Sequence, residues 1–187
     1  MKRQLFDALI LLGLLTGLTG VVYPLVVTGF AEVFYSRQRN GSLIFVSEKL
    51  TGSKLIGQKF SRAKYFRGRP SAGDYQTMPS GGSNFGWTSE ALRKRIEASR
   101  ADGFGGALLY ASGSGLDPEI PLEAALSQME RVIRARLVQE TSRDDYREKV
   151  ATLIRTHTQD RQFKFLGEPR INVLELNQAL DRMAGDK

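Results

Sequence analysis

One stretch breaks sharply from the polar–apolar alternation of the rest of the chain. ALILLGLLTGLTGVVYPLVVTGFA, Ala8 to Ala31, carries no charge. As a helix it extends roughly 36 Å, against a bilayer core of about 30 Å. A cleaved signal has a shorter apolar core and a small-x-small site, and GFAEVF is a poor one. The pattern predicts a retained transmembrane helix, with residues 1–31 forming a short head and the span. Gly13 and Gly17 lie on one helical face and let a second helix approach closely. Tyr23 and Pro24 predict a kink or an approach to the interface.

Beyond the span the pattern shortens. Residues 32–41 read as a tether. SLIFVS, Ser42 to Ser47, reads as a strand, and KLIGQKF as a second, interrupted by Gly57. Residues 61–89 read as one long irregular loop, a length that is usually functional when ordered. A helix follows Ser89, with Leu92, Ile96 and Ser99 on one face. ALLYA, Ala107 to Ala111, reads as a strand, and Asp117-Pro118 as a turn or helix start. Leu122, Leu126, Met129, Ile133 and Leu137 mark an apolar stripe from about Leu122 to Gln139, with Arg131, Arg134 and Arg136 mostly off it. Ser142 and Asp145 suggest a capping box for a helix over about Arg143 to Thr156. Asn172 and Glu175 cap a last helix striped by Leu176, Leu180 and Met183. The fold class is α+β: one N-terminal transmembrane helix, then one compact domain over residues 32–187.

Composition narrows the chemistry. The 187 residues include no cysteine and one histidine, His157, so disulfides, thiolate metal sites and a His-rich cluster are excluded. His157 reads as a structural helix-end residue. The carboxylates Asp74, Glu90, Glu97, Asp102 and Asp117 show no acid–base spacing. No catalytic residue and no metal site is predicted.

The net charge of +7 favours anionic partners. Between Glu48 and Asp74 there is no acid, while Lys49, Lys54, Lys59, Arg62, Lys64, Arg67 and Arg69 alternate with Phe60, Tyr65 and Phe66. Such a stretch is either a nucleic-acid surface or a solvated face beside core aromatics. The basic head Lys2-Arg3 favours a cytoplasmic N-terminus, and a long trailing domain crosses regardless of its charge. The domain is therefore expected outside the cytoplasm, away from nucleic acid and ATP.

Two Gly/Ser loops invite an anion. Ser112, Gly113, Ser114 and Gly115 follow a predicted strand, but the Lys of a phosphate-binding loop is missing, since Leu116 follows Gly115. Ser80, Gly81, Gly82, Ser83 and Asn84 are able to form a nest of amides. No G-x-S-x-G nucleophile elbow surrounds Ser80, Ser83 or Ser114. Phe85 and Trp87 beside these glycines suit an ordered loop with exposed contact groups.

The segments TGVVYPL, GSKLIGQKF, YFRGRPSA, SGGSN, SGSGLDP, RVIRARL and INVLELNQALD, in this order, resemble the C-subunit family of the Kdp potassium-transporting ATPase, KdpC. The chain departs at TSEAL, where an Asn-Pro pair is expected, and at Tyr110-Ala111-Ser112, where Thr-Ala-Ser is expected. The resemblance implies a single-span subunit of a bacterial inner-membrane complex that hydrolyses ATP to import potassium. Its implied partners are a channel-like potassium-binding subunit, a P-type ATPase subunit and a small single-span subunit. The implied role is non-catalytic: assembly, and promotion of nucleotide use as a catalytic chaperone. ATP goes with the complex; direct contact conflicts with an outer domain, so no cofactor is expected on this chain. On this reading Arg67, Arg69 and Ser80–Trp87 belong to a surface docked on the potassium-binding subunit. The alternatives are an anchored extracytoplasmic enzyme and an anionic-ligand-binding module.

Overall fold

The computed structural model describes residues 2–46, 48–136 and 143–185. The chain divides into two compact units, Met1–Thr51 and Gly52–Lys187.

In the first unit, α1 (Lys2–Gly17) and α2 (Tyr23–Arg39) run on from one another through a π-helical turn, Leu18–Val22. Pro24 explains the turn. It has no N–H to donate, and its ring clashes with the carbonyl four residues back, so the helix widens just before it. The predicted kink is therefore a π-turn. The helix continues past Ala31, so residues 32–39 are helical and not a tether. Helical geometry lapses at Tyr35 (φ −136°), and an ion pair joins Arg39 to Glu32. No side chain of α1 or α2 is buried, which is the condition of a helix whose apolar surface meets lipid. β1 (Leu43–Val46) pairs with β2 (Lys49–Ser53).

In the second unit, KLIGQKF is not a strand. Gly57 instead donates to the Leu116 carbonyl (2.8 Å), and a Cβ there would lie 2.6 Å from the Asp117 carbonyl oxygen. Residues 54–89 hold neither helix nor strand. α3 (Glu90–Ala101) is capped by Ser89, whose hydroxyl accepts from the Leu92 amide. ALLYA is also not a strand: Gly106–Leu109 form a 3₁₀ turn that buries Leu108 and Leu109 together. A strand would point neighbours to opposite faces.

Three short strands, β3 (Glu119–Pro121), β4 (Thr158–Gln159) and β5 (Arg170–Asn172), form an antiparallel sheet in the order β3-β5-β4. Ile120 and Thr158 flank Ile171. None of the three shows enough periodicity to be read from sequence. α4 (Leu122–Arg136), α5 (Arg143–Thr156) and α6 (Val173–Ala184) complete the unit. The core joins Ile120, Ile171, Val132, Ile133, Val150, Ile154, Leu176, Leu180 and Phe66, all essentially solvent-free. Burying each stabilises the fold by about 1.5–3 kcal/mol.

The buried face of α4 is Ala124, Ala125, Gln128, Val132 and Ile133, rotated from the expected stripe, and Leu126 is exposed. Arg131 and Arg136 consequently turn inward. The predicted continuation of this helix past Arg136, with Leu137, and the predicted Ser142 cap lie outside the described residues. Asn172 caps α6 as predicted, accepting from the Leu174 and Glu175 amides. The His157 ring nitrogen Nδ1 lies 3.0 Å from the Leu153 carbonyl, closing the end of α5.

Candidate interaction surface

Residues 63–67 leave a turn closed by the Tyr65 amide on the Arg62 carbonyl (3.2 Å) and pair with no strand. Buried backbone needs partners, and here helix side chains supply them. The Asn177 amide on α6 brackets Phe66, accepting from its N–H (2.8 Å) and donating to its carbonyl (2.9 Å). The Gln128 amide on α4 does the same for Arg67, at 2.8 and 3.0 Å. Arg131 donates to the Ala63 and Tyr65 carbonyls, and Arg136 to Lys64. Arg136, with its side chain 4% exposed, also pairs with Asp181 at 2.6 Å. Asp181 accepts from the Tyr65 hydroxyl as well. Two helices thus hold one peptide segment as a sheet edge would.

Arg67 and Arg69 follow directly. The Arg67 guanidinium donates to Ser61 and stacks on Phe104 (5.4 Å), where Arg131 stacks too (5.7 Å). Burial lowers the Arg131 pKa, and the Arg67 charge lowers it further. Arg69 donates to the Ala111 carbonyl and lies 3.6 Å from the Asp117 carboxylate. The Tyr75 hydroxyl donates to the Arg69 carbonyl (2.5 Å). Burial, then Asp117 and Asp74, push the Tyr75 pKa up to about 12. Lys59, Arg67, Asp74, Tyr75, Asp102 and Phe104 help line an open cleft of about 320 Å³.

The two Gly/Ser loops, far apart in sequence, meet. A Cβ at Gly115 (φ +70°) would fall 2.7 Å from the Gly81 carbonyl oxygen, and one at Gly82 would fall 3.3 Å from that of Gly113. At Gly115 only a residue without a side chain fits, while at Gly82 a Cβ would need the neighbouring backbone to give by a few tenths of an ångström. Ser112 is buried and donates its amide to Pro70, Gly115 donates to Ser112, and Leu116 donates to the Ser114 hydroxyl. These amides are occupied by the chain itself. The segment after the loop is β3, not a helix N-terminus, so the strand–turn–helix phosphate cradle is not formed.

Beyond this contact the loop turns outward. Met78 and Trp87 are each 88% exposed. Trp87 meets Tyr110 edge-on, and Arg95 stacks on Phe85. Gly13 and Gly17, on α1, have open space over their Cα atoms. Among the described residues, no group of three or more His, Asp or Glu side chains is placed to hold a metal ion.

The family described as "KdpC: K+-transporting ATPase, c chain" matches residues 5–182. The chain belongs to the KdpC family. Three curated relatives carry the description potassium-transporting ATPase KdpC subunit. The protein of Polynucleobacter asymbioticus is 46% identical, over 97% of this chain and 99% of its own. That of Gemmatimonas aurantiaca is 43% identical, over 98% and 95%. That of Bradyrhizobium diazoefficiens is 42% identical, over 98% and 99%. The KdpC resemblance read from the sequence motifs is thereby confirmed.

Sequence reasoning missed Gln128, Asn177, Arg131, Arg136 and Asp181, which hold the loop, and Met78, which extends its exposed end. A signal existed for two of them. Gln128 falls four residues before Val132 on the buried face of α4, and Asn177 directly follows the core residue Leu176. An amide in such a place predicts a buried hydrogen-bonding partner.

Proposed function

We propose that this chain is the membrane-anchored, non-catalytic C subunit of a potassium-transporting ATPase, needed for assembly and for promoting nucleotide use. The observation that carries the reading is the match over residues 5–182, which spans both the apolar helix and the folded domain. The helix crosses the inner membrane, Gly13 and Gly17 pack against a neighbouring helix, and the domain lies outside the cytoplasm. Its partners are the channel-like potassium-binding subunit, the P-type ATPase subunit and the small single-span subunit. The chain promotes nucleotide use as a catalytic chaperone without touching ATP, by biasing the pump's conformational equilibrium through its contacts.

The docking surface on the potassium-binding subunit comprises Ser80, Gly81, Gly82, Ser83, Asn84, Phe85 and Trp87, with Arg67 and Arg69 at its edge. Exposed aromatics on an ordered loop are the usual anchors of protein interfaces. The inward contacts of Arg67 and Arg69 suit them to holding that loop in position.

Location is the first test. A single cysteine at Lys94, which is exposed on α3, is reacted with an impermeant thiol reagent in intact spheroplasts. Labelling from outside is expected. Labelling only after lysis would place the domain in the cytoplasm and sink the outer-dock reading.

A further inference from the structure

The 80–87 loop reaches solvent with little backbone support. Among the described residues, the stretch from Ser83 to Thr88 takes part in one backbone hydrogen bond, from the Ser89 amide to the Gly86 carbonyl (3.0 Å). Side chains hold the rest. Trp87 meets the Tyr110 ring edge-on at 6.3 Å, and the Arg95 guanidinium stacks on Phe85 at 5.3 Å. Arg95 differs from the other cations of α3. It falls three residues after the buried Leu92 and directly before Ile96, on the inward side of the helix. It is half-buried, while Arg93, Lys94 and Arg100 are exposed. The acids of α3 pair elsewhere: Glu90 with Arg93 (2.8 Å) and Lys94 (4.0 Å), and Glu97 with Arg93 (4.0 Å). Asp102 stands about two turns further along the axis. The Arg95 Nη1 is buried and has no hydrogen-bond partner. Among the described residues, the face of Phe85 is therefore the one electrostatic partner of this guanidinium. A cation over a ring is held more strongly the more it is desolvated.

We propose that Arg95 is a positioning residue for docking: by holding Phe85 from α3, it keeps Trp87 presented to the partner subunit. Phe85 and Trp87 flank Gly86, which leaves the chain between them free to turn. Without the Arg95 stack, that segment loses its tie to the helix. A loop ordered before contact loses less conformational entropy on binding. The assignment rests on the docking reading of Ser80–Trp87.

Trp87 is the sole tryptophan of the chain, so its fluorescence anisotropy and its quenching by acrylamide read this loop directly. Both are measured on the full-length chain in detergent, alongside the urea midpoint and the recovery of the other subunits in affinity purification. Arg95→Ala is expected to lower the anisotropy, raise the quenching and reduce recovery about threefold, the factor carried by a partly exposed cation–π contact, at an unchanged urea midpoint. Arg95→Lys returns a cation to the ring and should restore most of each. In a Phe85→Leu background, Arg95→Ala should have no further effect. An equal effect in both backgrounds, or a lowered urea midpoint that accounts for the loosening, would overturn the proposal. Lost recovery with an unchanged Trp87 signal would assign Arg95 to direct contact with a partner and overturn the positioning role. Full recovery in Arg95→Ala while Trp87→Ala loses the subunits would overturn the positioning role alone. Full recovery in both would overturn the docking reading and this proposal together.

Discussion

Residues 63–71 and residues 76–88 belong to one run without helix or strand, and both mix aromatic side chains with Gly, Ser and Pro. In the first, every carbonyl from Ala63 to Arg67, and the amides of Phe66 and Arg67, are matched to a side chain of α4 or α6, and Phe66 enters the core with no exposure. In the second, Met78 and Trp87 stand in solvent. Composition does not separate the two. What separates them is the presence of two amides and two guanidinium groups on the helices beneath the first stretch. The first loop is held where its peptide groups meet fixed partners on the helices, while the second leaves its large side chains in solvent.

That contrast is broken most severely at Asn177. Asn177→Ala leaves a buried N–H and a buried carbonyl of Phe66 without partners. At about 1–3 kcal/mol for each stranded group, the domain should lose roughly 3 kcal/mol. Urea unfolding of the full-length chain in detergent measures it, and an unchanged midpoint would refute the clamp. Asp181→Ala comes next. It removes a carboxylate partner of the buried Arg136 charge, but Asp181 is one-third exposed and Arg136 keeps the Lys64 carbonyl, so a smaller loss of about 2 kcal/mol is expected in the same assay.

Tyr75 sharpens the comparison through pH. Its pKa is about 12 in the fold and 10.0 when unperturbed. A raised pKa means that the fold favours the neutral phenol. The stabilisation is complete below pH 10 and disappears as pH rises through 12. Wild type should therefore lose stability relative to Tyr75→Phe across that window. Parallel curves would show that burial beside Asp117 and Asp74 does not favour the neutral phenol.

The smallest effect on stability belongs to the exposed half. Trp87→Ala should change unfolding by no more than about 0.5 kcal/mol, while reducing recovery of the other subunits in affinity purification. Full recovery would remove Trp87 from the docking surface. A large loss of stability would place it with the clamped half instead.

Much of the molecule was legible from residue order. The apolar run from Ala8 to Ala31 fixes a long lipid-compatible helix, because length and absence of charge are local properties. The caps at Ser89 and Asn172 were readable, since capping is settled within a few residues. So was the stripe of α6, because helical periodicity repeats over several turns. Tertiary structure decided the rest. KLIGQKF and ALLYA have the composition of strands, but neither finds a ladder: one docks Gly57 on Leu116, and the other winds into a 3₁₀ turn over the core. The three-stranded sheet is built from strands of two and three residues, too short for any period to show. The meeting of Gly81 with Gly115, and the inward turn of Arg131 and Arg136, depend on how helices distant in sequence are placed. Local order determines which segments are able to be helices. Which polar groups end up buried against each other is a property of packing, and that is what separates the clamped stretch from the exposed one.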